Sequence, residues 1–348
     1  MRIYTFDAPE KTPVEFLYPL RPANRNPEFS QLIAESEWKE VKNIKDCDIA
    51  IFPNKVFEPL DFTFDSSVFD AVRLAESFNK PIIIDATCDY DQPLIIPHAS
   101  ILRFGLFKTL KLENEFERPY WTKQKQKEEL QSLPIDTYSS KPSVGFSGTT
   151  NSDGKFFKIG RALPLFVAKK LLAKGNIARP IDLRLKKGMS HKLRASAMKF
   201  LSRDARIKCN FDITNELKNY YNLANPNRTS IETIFNENMS KSDYILCVRG
   251  VGNYTARFYM TLNAGRIPLV VDTDKTFPFE EKIHMVKVPP ESLHNIADFM
   301  LQHFESVTPK ELAEMKRQNR EVYNQFLAPH RYIPNLVQSI VVNHSHLK

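Results

Sequence analysis

Glycine is scarce in this sequence. Only 10 of its 348 residues are glycine, and a single one, Gly105, precedes residue 140. A phosphate that approaches backbone N–H groups closely usually needs glycine at the turn between a strand and a helix. The first half therefore lacks the material for such a turn, and any phosphorylated ligand is expected on the second half. Cysteine is scarce too. Cys47, Cys88, Cys209 and Cys247 are widely separated and form no CxxC pair, which excludes a disulfide scaffold and a zinc site of paired spacing. A reducing cytoplasm is the expected compartment. No window approaches the roughly 18 uninterrupted apolar residues that a membrane span needs. The stretch from Met1 to Asp7 lacks the apolar core of a secretory signal, so the mature chain is expected to begin here. Charge of one sign is not dominant: 49 Lys+Arg stand against 41 Asp+Glu. The surplus favours anionic partners without choosing among them, and with no recognition motif a nucleic-acid partner is not expected.

What is present suits a folded, two-domain chain. The sequence is 42% hydrophobic and 26% charged, far from the disordered regime, and its length suits two domains of about 150 residues each. Strands are expected at 2–6, 48–52, 81–85 and 100–104, with a helix over 66–79 capped by Ser66. Residues 111–142 are polar, lysine-rich and broken by Pro119, Pro134 and Pro142, which reads as a linker or excursion. A second series follows, with strands at 143–146, 207–211, 244–248, 267–271 and 285–288. Helices are expected at 161–174, 191–202, 231–239 and 253–263, and three more close the chain at 292–304, 309–327 and 332–342. Strands separated by helices predict an α/β protein with a doubly wound parallel sheet in each half. The expected domains are 1–140 and 141–328, with a terminal helix over 329–348 packing back on the first.

The densest chemistry runs from Ser242 to Tyr259. A buried strand ends in Arg249, Gly250 and Gly252 allow a tight turn, and a helix is expected from Asn253 with Arg257 in its first turns. Two guanidiniums beside a helix N-terminus make a diphosphate site, because forked donors and unpaired N–H groups converge on the same oxygens. The next strand leads through Asp272-Thr273-Asp274 beside the same crevice. Gly250-x-Gly252 also invites a dinucleotide reading, but Thr255 replaces the third glycine of that fingerprint. A second glycine turn lies at Ser147-Gly148-Thr149.

Residues 241–283 resemble the C-terminal signature of the exostosin-like glycosyltransferases. Ser242, Tyr244, Leu246, Cys247, Arg249, Gly250, Arg257, Phe258, Gly265, Pro268 and Pro278 fit it in order and spacing. The resemblance implies a GT-B architecture, two Rossmann-like domains facing across a cleft. It also implies metal-independent, inverting transfer of a sugar from a nucleoside diphosphate donor to a glycan or glycolipid hydroxyl, at the cytoplasmic side and in peripheral contact with the membrane. Carried over by position, Arg249 and Arg257 would hold the diphosphate. Gly148 and Thr149 would line the nucleotide side, with Arg194 as a further phosphate ligand. The family usually has Glu after its Arg-Phe-Tyr run, where it holds the donor ribose, and this sequence has Met260. Either Asp272 or Asp274 takes the ribose, or the donor differs, or the chain binds without turning over.

An inverting transfer needs a base for the acceptor hydroxyl. The loop after Pro81–Asp85 offers Asp85, Asp89 and Asp91, with Glu115 behind them; His98 reads as an ordinary loop histidine. Asp89-Tyr90-Asp91 and Asp272-Thr273-Asp274 are literal Asp-x-Asp triplets, yet arginines at a glycine turn do the electrostatic work of a metal. No metal and no other cofactor is expected. Lys108–Lys111 and Lys123–Lys127 read as solvated faces that could also meet an anionic glycan or lipid head group. The rival readings are a degenerate, non-catalytic binder of nucleotide or glycan, and a nucleic-acid-binding protein suggested by charge alone.

Overall fold

The protein is described from a computed structural model, covering residues 1–6, 38–57, 64–122, 124–135, 140–151, 154–173, 183–213 and 228–346. Lys123, and residue 174 at the end of the helix expected over 161–174, lie outside the described residues. The chain forms two compact units. Unit 1 comprises Met1–Leu106, Leu110–Gln124 and Gln325–Lys348; unit 2 comprises Phe107–Thr109 and Lys125–Asn324.

Unit 1 is built on a six-stranded sheet. Its strands are β1 (Arg2–Thr5), β2 (Lys39–Glu40), β3 (Ile49–Lys55), β4 (Ile82–Asp85), β5 (Ala99–Arg103) and β6 (Glu115–Glu117), in the order β2-β1-β3-β4-β5-β6. Every pairing is parallel. Runs such as Ile82-Ile83-Ile84 are buried throughout, as a sheet covered on both faces requires. Helix α1 (Ser67–Ser77) presses Val68, Ala71, Val72 and Ala75 onto the core. Its cap differs from expectation. Ser66 is already helical and makes no capping bond, while the Asp65 carboxylate accepts from the Ser67 N–H at 3.1 Å and the Ser67 hydroxyl at 2.6 Å.

The polar stretch 111–142 is not a plain linker. It contains β6 and helix α2 (Gln124–Gln131). Composition hid β6 because its alternate residues Glu115 and Glu117 point inward. Glu115 meets Arg103 at 2.5 Å with neither side chain exposed, and Glu117 accepts from the N–H groups of Gly105 and Leu106. From Lys125 onward the stretch belongs to unit 2. Arg266 and Arg320 donate there to Pro134 O and Leu133 O at 2.9 and 2.7 Å. The terminal helix α10 (Pro329–His346) lies in unit 1, where Tyr332 OH donates to Glu117 O and Trp121 Nε1 reaches Leu327 O at 2.8 Å.

Unit 2 carries a five-stranded parallel sheet of β7 (Ser143–Gly148), β8 (Lys208–Ile213), β9 (Tyr244–Cys247), β10 (Ile267–Val271) and β11 (Val286–Val288), ordered β11-β10-β9-β7-β8. Val144, Phe146, Leu246 and Leu269 face a core shared with Leu172 of α4 (Leu165–Ala173), Leu193 and Ala197 of α5 (Leu183–Leu201) and Met300 of α8 (Ile296–Glu305). The other face packs α6 (Arg228–Ser240), α7 (Ala256–Asn263) and α9 (Pro309–Val322). Helix α5 begins at Leu183, eight residues before the expected start. There it crosses α3 (Lys155–Ala162) so closely that a Cβ on Gly188 would stand 2.2 Å from Phe157 O, and one on Gly160 2.3 Å from Leu185 O. The chain leaves β7 for β8 on one side, then returns to β9 on β7's other side and continues outward. Such a reversal leaves a crevice at the carboxyl ends of the two central strands.

Candidate functional site

That crevice is where the glycine turns lie. β7 ends in Ser147-Gly148-Thr149, and β9 runs into Arg249-Gly250. Helix α7 starts at Ala256, not Asn253, because the Asn253 side chain is buried and tied to Thr273: it accepts from Thr273 Oγ1 at 2.5 Å and donates to Thr273 O at 3.1 Å. Gly250 N–H donates to Tyr254 O at 2.7 Å, closing the loop. Arg257 nevertheless sits in the first turn of α7.

Three guanidiniums meet at these two loops, in different states. Arg249 is buried and braced. It donates to Leu172 O at 2.9 Å and Val251 O at 3.0 Å, and stacks over Phe107 with its Cζ 5.6 Å from the ring centre. Arg194, from α5, is buried and spans both loops, donating to Thr149 O at 2.7 Å and Arg249 O at 3.3 Å. Arg257 is half-buried. Its Nη2 donates to Ser147 O at 2.5 Å and its Cζ lies 4.2 Å from the centre of Phe146, whose ring also carries Arg194 at 5.4 Å. Burial pushes the Arg257 pKa down to about 10, so it remains charged at neutral pH. Among the described residues no carboxylate pairs with it. A desolvated cation without a counter-ion, beside two backbone turns, is suited to an incoming oxyanion. Gly148 is required here: its φ is +153°, and an added Cβ would lie 2.8 Å from Arg257 Nη2. Thr149 supplies its hydroxyl to Asn151 O at 2.6 Å.

Sequence reasoning missed one neighbour. His191, on α5 between Ser190 and Arg194, is 3% exposed and its Nδ1 has no hydrogen-bond partner. Desolvation, then the charges of Arg194, Lys187 and Arg161, push its pKa down to about 2, so the imidazole is neutral. Ser190 Oγ reaches Gly250 O at 2.5 Å. The Ser190/Arg194 spacing of one helical turn was the available signal.

The two carboxylates beyond β10 are engaged. Asp272 pairs with Lys287 at 2.9 Å, a lysine that also holds Glu280 at 2.8 Å. Asp274, at φ +64°, accepts from Thr109 N–H at 3.2 Å and Thr109 Oγ1 at 2.5 Å. Met260 is buried in α7. In unit 1, Asp85 closes β4 fully buried, with one carboxylate oxygen held by the Thr87 N–H and hydroxyl. Asp91 is buried and accepts from Gln92, and Asp89 is exposed. Glu115, locked to Arg103, is removed from the candidates for a base. His98 is a surface residue paired with Glu76 at 2.8 Å. Among the described residues no group of His, Cys, Asp and Glu could hold a metal ion, and no helix is long and apolar enough to cross a membrane.

No family model and no curated protein matches the chain. Among solved structures it pairs with the DNA-modifying enzyme β-glucosyltransferase, determined in the presence and absence of its substrate uridine diphosphoglucose. That pairing has 13% identity, covers 98% of this chain and 100% of that chain, and has a TM-score of 0.36. So low a score carries no argument, and the α/β class rests on the two parallel sheets themselves.

Proposed function

We propose that the chain is a GT-B glycosyltransferase of exostosin-like character. It would move a sugar from a nucleoside diphosphate donor to a glycan or glycolipid hydroxyl, with inversion and without a metal, in polysaccharide or glycolipid synthesis. The observation that carries the reading is Arg257, a desolvated guanidinium without a carboxylate partner at the reversal of a parallel sheet. The diphosphate meets Arg257 beside the turn at Gly148, while Gly250, whose N–H is bonded to Tyr254 O, shapes the second loop. Arg194 and Arg249 act mainly by holding the two loops, and their charges add to the local positive field. As the glycosidic bond breaks, negative charge grows on the leaving phosphate, and preorganised cations stabilise it. Of the three candidate bases, Asp89 is the one exposed enough to meet an acceptor hydroxyl; Asp85 and Asp91 shape the loop behind it.

Calorimetric titration with uridine and guanosine diphosphates, run beside a donor-hydrolysis assay, tests the reading. Arg257→Ala should weaken diphosphate binding by about ten- to a hundredfold, the loss of one charged hydrogen-bonding group, and abolish hydrolysis. Wild-type protein that binds neither diphosphate, or an Arg257→Ala variant that binds as well as wild type, would overturn it. Asp89→Asn should lower turnover while leaving diphosphate affinity intact. One observation favours a second reading, a binder without turnover. Methionine cannot accept the two ribose hydroxyl bonds, and Asp272 and Asp274 already have partners. Tight diphosphate binding with no hydrolysis of any sugar nucleotide would favour it.

A further inference from the structure

The helical layer over one face of unit 2 has an unusual charge. Among the described residues between 155 and 203 stand twelve Lys or Arg and no acid, with Lys186 and Arg194 buried and the rest reaching the surface to different degrees. That local excess is larger than the surplus of the whole chain. Helices α3, α4 and α5 contain no carboxylate at all. A solvated helix ordinarily mixes signs to gain its i, i+4 pairs, so architecture alone does not account for this.

The same layer exposes large apolar side chains. On α3, Phe157 and Gly160 turn inward, which leaves Lys155, Phe156, Lys158 and Ile159 on the outer face. Phe156 is 43% exposed and Ile159 44%, and on α4 Phe166 is 69% exposed, the most open phenylalanine among the described residues. Arg184 lies over the Phe156 ring at 4.6 Å. Lys155, Lys158 and Lys170 have no ion pair among the described residues, while Lys169 reaches Glu291 O at 3.1 Å. The close crossing at Gly160 and Gly188 fixes which face of α3 looks outward, so the exposure of Phe156 and Ile159 is built into the packing.

We propose that the outer face of α3 and α4 is a docking surface for an anionic lipid bilayer, with Phe156, Ile159 and Phe166 entering the acyl boundary and Lys155, Lys158 and Lys170 meeting the head groups. Charge complementarity points to an anionic partner, and the apolar side chains select a bilayer over a soluble polyanion. A nucleic acid or a charged glycan repays lysines but gains little from an exposed isoleucine, whereas an interfacial helix needs both kinds of residue. The surface is separate from the arginine cluster, so it stands whatever that cluster binds.

Flotation of the full chain with vesicles tests this. Binding is expected to phosphatidylcholine vesicles containing phosphatidylglycerol, and not to phosphatidylcholine alone. Each lysine near such a surface contributes about fivefold to partitioning, so Lys155→Gln, Lys158→Gln and Lys170→Gln together should lower it about a hundredfold. The triple Phe156→Ser, Ile159→Ser, Phe166→Ser variant should also lose flotation, with its melting temperature unchanged because the three side chains are exposed. Absence of flotation by the wild type overturns the proposal. So does retention on DNA or heparin that the lysine variant loses and the serine variant keeps, since that pattern marks a polyanion surface.

Discussion

The two units share a sheet plan and finish it with opposite chemistry. In each, the first and third strands lie side by side and the chain departs from them in opposite directions. In unit 1 the strand ends carry carboxylates that are mostly spent internally, although Asp85 Oδ2 is buried without a hydrogen-bond partner. Glu115 is locked to Arg103, Glu117 holds the turn at Gly105, and Asp85 holds Thr87. In unit 2 the strand ends carry glycines and arginines, and among the described residues no carboxylate pairs with Arg257. The lesson is that topology provides the crevice, while the residues at the strand ends decide whether it is sealed by the protein or left for a ligand.

The largest expected effect strikes the sealed side. Glu115→Gln leaves Arg103 buried without its counter-charge and should cost about 3–5 kcal/mol in thermal or urea unfolding. The double change Arg103→Met with Glu115→Leu should not recover that loss, because Glu115 also accepts from the Leu94 and Leu112 N–H groups and Arg103 donates to Tyr90 O and Gln92 O. If Glu115→Gln were neutral, the unit 1 ion pair would not be the seal described above.

Acid should sharpen the contrast from the other side. His191 is neutral in the folded protein, with its pKa brought down from 6.5 to about 2. The unfolded chain therefore takes up this proton first as pH falls below about 6.5. The contribution is complete above that value, and folding loses about 1.4 kcal/mol per pH unit below it. His191→Asn should flatten the slope of melting temperature against pH between about 6.5 and 4.5. An unchanged slope would remove His191 from the acid response.

The smallest effect is local to the open crevice. Gly148→Ala places a Cβ against Arg257 Nη2 and should weaken diphosphate binding by about tenfold, with roughly 1 kcal/mol lost in stability from the strained backbone. Equal affinity in the variant would mean that the guanidinium shifts without consequence. Together with the arginine and vesicle experiments, these measurements separate a sealed unit from a binding one.

Much of the fold was legible because its signals are local. Ile82-Ile83-Ile84 is a β-branched run and Ile267–Val271 an apolar one, and both are buried strands inside their sheets. Glu115–Glu117 was not legible, since its burial depends on Arg103, twelve residues earlier. The first turns of α5 were missed because Gly188, a poor helix former, is there for the crossing with α3. At the site, the glycine and arginine positions could be read from sequence, and their division of labour could not. Arg249 and Arg257 look alike as letters. Arg249 is consumed by carbonyls at Leu172 and Val251, and only folding brings Leu172 within reach. Asp274 is likewise consumed by Thr109, 165 positions away.

By itself, the order of residues determined that this chain forms parallel α/β sheets and that its glycine turns lie in the second half, because strand runs, helical spacing and glycine turns are properties of neighbours along the chain. The tertiary structure alone decided which charged groups remain free. Desolvation and pairing depend on atoms distant in sequence, and a guanidinium keeps its charge for a ligand only where folding supplies no carboxylate to meet it.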